Sequence, residues 1–187
     1  MPSRMDASRD VLVLVDYQAR LLPVIDRGPE VVATARMLAE GARLLGVRVV
    51  GTEQNPGGLG PNVEGIRRLC DATLAKTHFD ACLDGLPALL AEGRRAGERP
   101  DVVIAGCEAH VCLLQTALGL LDGGHRLRVV EPACGSRRPG DRDIAMRRLE
   151  AAGATRVSAE MVLFEWLGGS DHPAFREVLA LVKSQPA

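Results

Sequence analysis

The chain has 187 residues, 47% of them apolar and 25% charged, with a formal net charge of −1. These values suit one ordinary globular domain spanning 1–187 and give no reason to expect nucleic acid or an anionic membrane as partner. No apolar run approaches the ~18 residues of a membrane span, and the opening Met-Pro-Ser-Arg-Met-Asp lacks a signal-peptide apolar core, so a cytoplasmic location is expected.

Strand and helix patterns alternate along the chain. Val11 to Val15 is a continuous apolar run that ends in Asp16, the pattern of a buried strand. Pro29 to Leu45 predicts a helix, with Val31, Ala35, Leu38, Ala42 and Leu45 on one stripe and Gly46 to stop it. Val47 to Gly51 predicts a second strand, and residues 54–62 a Gly/Pro-rich loop. Thr73 to Ala75 is a short strand leading to Lys76, followed by a helix from Leu86 to Ala96. Val102 to Ala105 is another β-branched run, punctuated by Gly106, after which Leu113, Leu114, Ala117, Leu118 and Leu121 recur at helical spacing. Leu127 to Val130 and Thr155 to Val157 predict the last strands, and Pro139 to Ala152 a helix capped by Gly153. Ser158 is an N-cap for a helix from Ala159 to Leu167, and Pro173 opens a final helix to about Val182. This alternation implies an α/β fold: a three-layer sandwich around a mostly parallel, doubly wound, Rossmann-like sheet of about six strands.

In such sheets ligands sit outside the carboxyl ends of the strands. Asp16, Lys76 and Cys112 each lie at or just beyond a predicted strand end. Cys112 falls in the first turn of the helix after a strand, where free N–H groups and the helix dipole favour a thiolate. Asp16 can serve as its base if burial raises the carboxyl pKa, and Lys76 can hold that carboxylate and stabilise a thiolate. Of 23 basic residues only Lys76 and Lys183 are lysines. A coding bias toward arginine explains the imbalance, yet lysine at 76 supplies a compact ammonium that arginine does not. Taken singly, each group has a plain structural explanation: a strand-end Asp as cap, a Lys as solvated charge, a Cys as core filler. The five cysteines (70, 82, 107, 112 and 134) are odd in number and lack C-x-x-C spacing, against a disulfide framework or zinc knuckle. Cys70, Cys82 and Cys134 are expected to be small buried hydrophobes.

The segments Val13-Leu-Val-Asp-Tyr-Gln18, Leu74-Ala-Lys-Thr-His-Phe-Asp80 and Gly106-Cys-Glu-Ala-His-Val-Cys112 resemble the isochorismatase-like family of cysteine hydrolases. Thr52-Glu-Gln-Asn-Pro56, Cys134-Gly-Ser-Arg137 and the stretch 160–165 are most like its small isochorismatase-domain hydrolases of undefined substrate. The resemblance runs from about residue 10 to 180 and implies one hydrolase domain with an Asp-Lys-Cys triad. Asp16 is then general base, Lys76 charge partner and Cys112 nucleophile. It further implies a non-proline cis peptide at Cys107–Glu108, an oxyanion hole from the Glu108 and Cys112 amides, and a pocket lined by Gln18, Phe79 and His110, with a structural role for His110 an equal alternative. The nicotinamidase branch carries an Asp/His metal cluster after the second strand. Here residues 53–62 contain no His, so neither metal nor cofactor is expected.

The expected activity is metal-independent hydrolysis of a small amide or related C–N bond through a thioester. Isochorismatase-type vinyl ether hydrolysis, which does not depend on the cysteine, and a catalytically weak binding or scaffold protein of the same fold are the alternatives. The expected partners are a small-molecule substrate and further copies of the chain, as a dimer or higher homo-oligomer. The Leu163-Phe-Glu-Trp-Leu167 run is a candidate interface, with packing on the sheet as its other explanation.

Overall fold

A computed structural model describes residues 4–95 and 97–184. Six strands, β1 (Asp10–Val15), β2 (Arg48–Gln54), β3 (Ala72–Lys76), β4 (Asp101–Gly106), β5 (Leu127–Val130) and β6 (Thr155–Val157), form one sheet in the order β3-β2-β1-β4-β5-β6. Every pairing is parallel. The eight α-helices among the described residues are α1 (Gly28–Leu44), α2 (Pro56–Leu59), α3 (Glu64–Arg67), α4 (Leu86–Ala91), α5 (Leu114–Asp122), α6 (Pro139–Ala151), α7 (Ala159–Leu167) and α8 (Phe175–Lys183). Helix α1 packs against α3, α7 and α8, whereas α5 packs against α6, which gives the helical layers of an α/β sandwich.

The central strands explain themselves. In β1 and β4 every residue is buried, as expected when helices cover both sheet faces. Val11 to Val15 and Val102 to Ala105 are closed to solvent, and each large aliphatic side chain so buried contributes about 1.5–3 kcal/mol. The helix α1 ends where the sequence predicts, because Gly46 takes a left-handed φ of 71°. Gly106 serves packing: a Cβ there would lie 2.5 Å from the Val15 carbonyl oxygen, so only glycine lets β4 approach β1 at its carboxyl end.

Several boundaries differ from the sequence reading. Strand β2 runs on through Thr52, Glu53 and Gln54, all buried, and the predicted 54–62 loop contains α2. The helix expected over Leu86–Ala96 stops at Ala91, and Ala96 itself lies outside the described residues. The α-helix after β4 begins only at Leu114, because Ala109–Leu113 form a π-helical turn that holds Cys112. The candidate interface in α7 largely faces inward. Leu163, Trp166 and Leu167 are buried, the Trp166 Nε1–H donates to Asp10 Oδ2 at 2.7 Å, and Phe164 is the exposed large apolar residue of the run. Among the described residues no helix is long and apolar enough to cross a membrane.

Candidate active site

With the order β3-β2-β1-β4-β5-β6, the chain departs in opposite directions from the carboxyl ends of β1 and β4, the switch point at which open α/β sheets bind ligands. Asp16 leaves β1 there, with a left-handed φ of 54° that aspartate tolerates better than most residues. Cys107 leaves β4 beside it, its N–H donating to the Val15 carbonyl at 2.9 Å. The Cys107–Glu108 peptide is cis, and the π-helical turn follows at once.

Lys76 ends β3, two strands from β1, a lateral distance of about 10 Å. Its four-carbon stem crosses the end of β2, so that Nζ donates to Asp16 Oδ2 at 2.8 Å and to Gln54 Oε1 at 2.6 Å, with the His78 carbonyl at 3.4 Å. Both members of the Lys76–Asp16 pair have fully buried side chains. The other Asp16 oxygen accepts from the Thr52 hydroxyl at 2.6 Å. Every charge in this cluster therefore has a directed partner, as a buried ion pair requires.

Cys112 faces the same cluster, with Sγ 3.9 Å from Gln54 Oε1. Burial, above all, pushes its thiol up to about 12. The Asp16 charge adds to this and Lys76 opposes it. This reverses the expectation that the helix start favours a thiolate: desolvation and a neighbouring carboxylate outweigh a dipole worth about 0.3–1 kcal/mol. In the free site the thiol keeps its proton at neutral pH. The remaining cysteines also sit high for the same reason, with Cys70 pushed up to about 11 and Cys82 and Cys134 to about 12. Cys134 is buried as expected, while Cys70 and Cys82 are only partly so.

The other residues singled out in the sequence take different places. Gln18 is wholly buried: its Oε1 accepts from the Gln54 N–H at 2.8 Å and its Nε2 donates to the Gln54 and Gly60 carbonyls at 2.9 and 2.6 Å, so it pegs β2 to the loop after it. Phe79 is 50% exposed at the rim, and its carbonyl accepts from the Thr116 hydroxyl. His110 Nδ1 lies 2.9 Å from Ser136 Oγ and 3.5 Å from Glu108 Oε2, which ties the π-helical turn to the loop after β5. The Glu108 carboxylate meets Arg137 at 2.9 Å. No backbone carbonyl takes the Glu108 N–H among the described residues.

Thr52 and Gln54 belong to this cluster and escaped the sequence reading, which ended β2 at Gly51. The strand-end rule that found Asp16 and Lys76 applies equally to Gln54 once β2 is given its full length. Among the described residues no group of three or more His, Cys, Asp and Glu is placed to hold a metal ion. An open groove of about 730 Å³ lies further along the sheet edge, lined by Glu30, Glu131, Arg142, Arg156 and Met161 among others, and contains none of Asp16, Lys76 and Cys112. Its Arg142 and Arg156 are committed to Glu131 and Glu150, and its Arg27 to Glu30.

Comparison with known proteins agrees with this fold. A model described as "Isochorismatase domain" matches residues 10–161. The human protein named isochorismatase domain-containing protein 2 is 38% identical over 182 residues, covering 95% of this chain and 84% of its own. A structure titled as MAR1 ribonuclease from Caenorhabditis elegans is 34% identical with a TM-score of 0.90, covering 99% of this chain and 95% of its own. YcaC from Pseudomonas aeruginosa, solved with hexane-2,5-diol and covalent acrylamide, is 26% identical with a TM-score of 0.85, over 97% of this chain and 92% of its own. With its sheet order and this match over most of its length, the chain belongs to the isochorismatase domain family and has that family's hydrolase fold.

Proposed function

We propose that the chain is a metal-independent cysteine hydrolase of small amides or related C–N bonds, with Asp16 as general base, Lys76 as charge partner and Cys112 as nucleophile. The observation that carries this reading is the single buried cluster in which Lys76 bonds both Asp16 and Gln54, with Cys112 Sγ 3.9 Å from Gln54 Oε1. Because the thiol is neutral at rest, deprotonation accompanies attack. Asp16 takes the proton as Sγ bonds to the carbonyl carbon, and returns it to the nitrogen as the C–N bond breaks and the amine leaves. Water, deprotonated by Asp16, then cleaves the thioester and restores the thiol. Lys76 balances the charge throughout. The Glu108 N–H, which no backbone carbonyl takes among the described residues, supplies the oxyanion donors together with the Cys112 amide. Gln18 and His110 hold the walls of the pocket and Phe79 its rim.

That YcaC carries covalent acrylamide supports a nucleophile reactive toward small electrophilic amides in this fold. The ribonuclease description of the nematode protein offers a second reading. The site favours it less, since the Lys76 ammonium is spent on Asp16 and the net charge is −1. A homo-oligomer, dimer or higher, belongs to the same proposal, with the exposed Phe79, Leu83, Met161 and Phe164 as apolar surface for it.

The test is a panel of small primary amides turned over by the wild type and by Cys112→Ala, with intact-mass detection of an acyl group on Cys112. Turnover and acylation should both vanish in the variant. Amide turnover that survives Cys112→Ala would remove Cys112 as the nucleophile, and turnover of a vinyl ether such as isochorismate, indifferent to Cys112→Ala but needing Asp16, would transfer the assignment to vinyl ether hydrolysis. An inert wild type that still binds these amides would mean a binding protein, and RNA cleavage in their place would favour the ribonuclease reading.

A further inference from the structure

The Gln54 side chain is held more tightly than any group that merely fills space at this site. Its Nε2 donates to the Thr77 carbonyl at 2.7 Å and its Oε1 accepts from Lys76 Nζ at 2.6 Å. The opposite amide orientation would set NH₂ against the ammonium and carbonyl against carbonyl, so these partners decide which atom is oxygen. The backbone is equally fixed, since Gln18 accepts from the Gln54 N–H and donates to the Gln54 carbonyl. An amide oxygen has two lone pairs, and Lys76 occupies one. The other looks toward Cys112 Sγ, 3.9 Å away, a separation at which the thiol proton holds it only weakly. A fixed acceptor thus lies beside the nucleophile, and among the described residues its second lone pair meets only the thiol proton that attack removes.

We infer that Gln54 Oε1 is the specificity-determining acceptor for the scissile nitrogen, so that the site selects amides bearing an N–H over esters of the same acid. This rests on the cysteine hydrolase reading above and names its substrate class. In the step concerned, Sγ bonds to the carbonyl carbon and Asp16 takes the thiol proton. An N–H of the substrate donates to Gln54 Oε1, which turns the nitrogen lone pair toward the proton on Asp16. That proton then passes to nitrogen, the C–N bond breaks and the amine departs with its electron pair. An ester oxygen carries no hydrogen and leaves Gln54 Oε1 facing a second acceptor, and a site built around such a hydrogen bond discriminates strongly against a partner that cannot make it.

The experiment compares kcat/KM for matched primary amides, N,N-dimethylamides and methyl esters of small acids, each divided by its rate of uncatalysed hydrolysis, in the wild type, Gln54→Met and Gln54→Glu. The wild type should prefer the primary amide over both analogues after this correction. Gln54→Met should lower the amide rate about 10- to 100-fold more than the ester rate. Gln54→Glu, which keeps an oxygen toward Lys76 and Cys112, should slow both while retaining the amide preference. An equal loss for amide and ester in Gln54→Met overturns the inference and leaves the hydrolase reading intact, as does a wild type that takes the dimethylamide as readily as the primary amide. Should Gln54→Met not fold, the wild-type series and Gln54→Glu decide. Absence of acylation at Cys112 with every substrate removes the hydrolase reading, and this inference falls with it.

Discussion

Replacing Asp16 by Asn separates two effects of one carboxylate. As a base, Asp16 is needed for turnover. As a negative charge, it opposes the thiolate: together with burial it holds the Cys112 thiol up at about 12, while Lys76 pulls the other way. Removing the carboxylate charge and keeping Lys76 therefore lowers the thiol pKa and raises the thiolate fraction at every pH below it. A charge within about 4–6 Å moves a neighbouring pKa by about 1–3. Each step down multiplies the thiolate tenfold but weakens its nucleophilicity, with a Brønsted slope of about 0.4–0.5, so the net gain in alkylation rate is about 3- to 50-fold. Asparagine suits the backbone, because it tolerates the φ of 54°, and its oxygen, turned to Lys76, can still accept from the ammonium while its NH₂ donates to the Thr52 hydroxyl oxygen. The assay is iodoacetamide labelling of the Cys112 peptide, followed by mass spectrometry from pH 6 to 9, alongside amide turnover. Labelling should rise with pH in the wild type without levelling off, run faster in Asp16→Asn, and be accompanied by a loss of turnover of about 10²- to 10⁴-fold. Labelling of a folded Asp16→Asn that is unchanged or slower would refute the reasoning. So would a wild-type thiol that titrates below about 8.5.

Other perturbations test the frame. Lys76→Met strands the Asp16 charge in a site closed to water and should cost about 3–5 kcal/mol in urea unfolding. A loss under about 1 kcal/mol would mean that water replaces the ammonium. Trp166→Phe removes the 2.7 Å bond to Asp10, whose carboxyl burial pushes up and Trp166 pulls down. That bond stabilises the charged carboxylate, so the cost, about 1.5–3 kcal/mol at pH 8, should shrink as the pH falls through the Asp10 pKa. A cost independent of pH would show that packing alone is lost. Gly106→Ala places a Cβ 2.5 Å from both the Val15 oxygen and the Val15 Cβ, and since backbone cannot step aside as a side chain can, it should cost about 3 kcal/mol or more and loosen the crevice. Near-wild-type stability in thermal unfolding would contradict the close approach of β1 and β4.

The sequence by itself determined the α/β alternation, the strands β1 and β4, and the placement of Asp16, Lys76 and Cys112 at strand ends, because each depends on local periodicity and on what punctuates it. Local pattern failed where the reason for burial lies elsewhere in the chain. Thr52 lies past the predicted end of β2 and Gln54 in the predicted loop, and both extend β2 because Asp16 and Lys76 satisfy their side chains and Gln18 the Gln54 backbone. The α7 run reads equally well as an interface or as a helix packed on the sheet, and only the fold decides, with Leu163 and Trp166 buried, Trp166 against Asp10. The Cys112 thiol shows the same limit. A helix start is a local feature that favours a thiolate, but burial and the Asp16 charge, both products of tertiary packing, decide the sign. Periodicity depends on neighbours a few residues away, whereas desolvation and charge pairing depend on groups brought together from positions as far apart as 16, 54, 76 and 112, and only the folded sheet supplies that proximity.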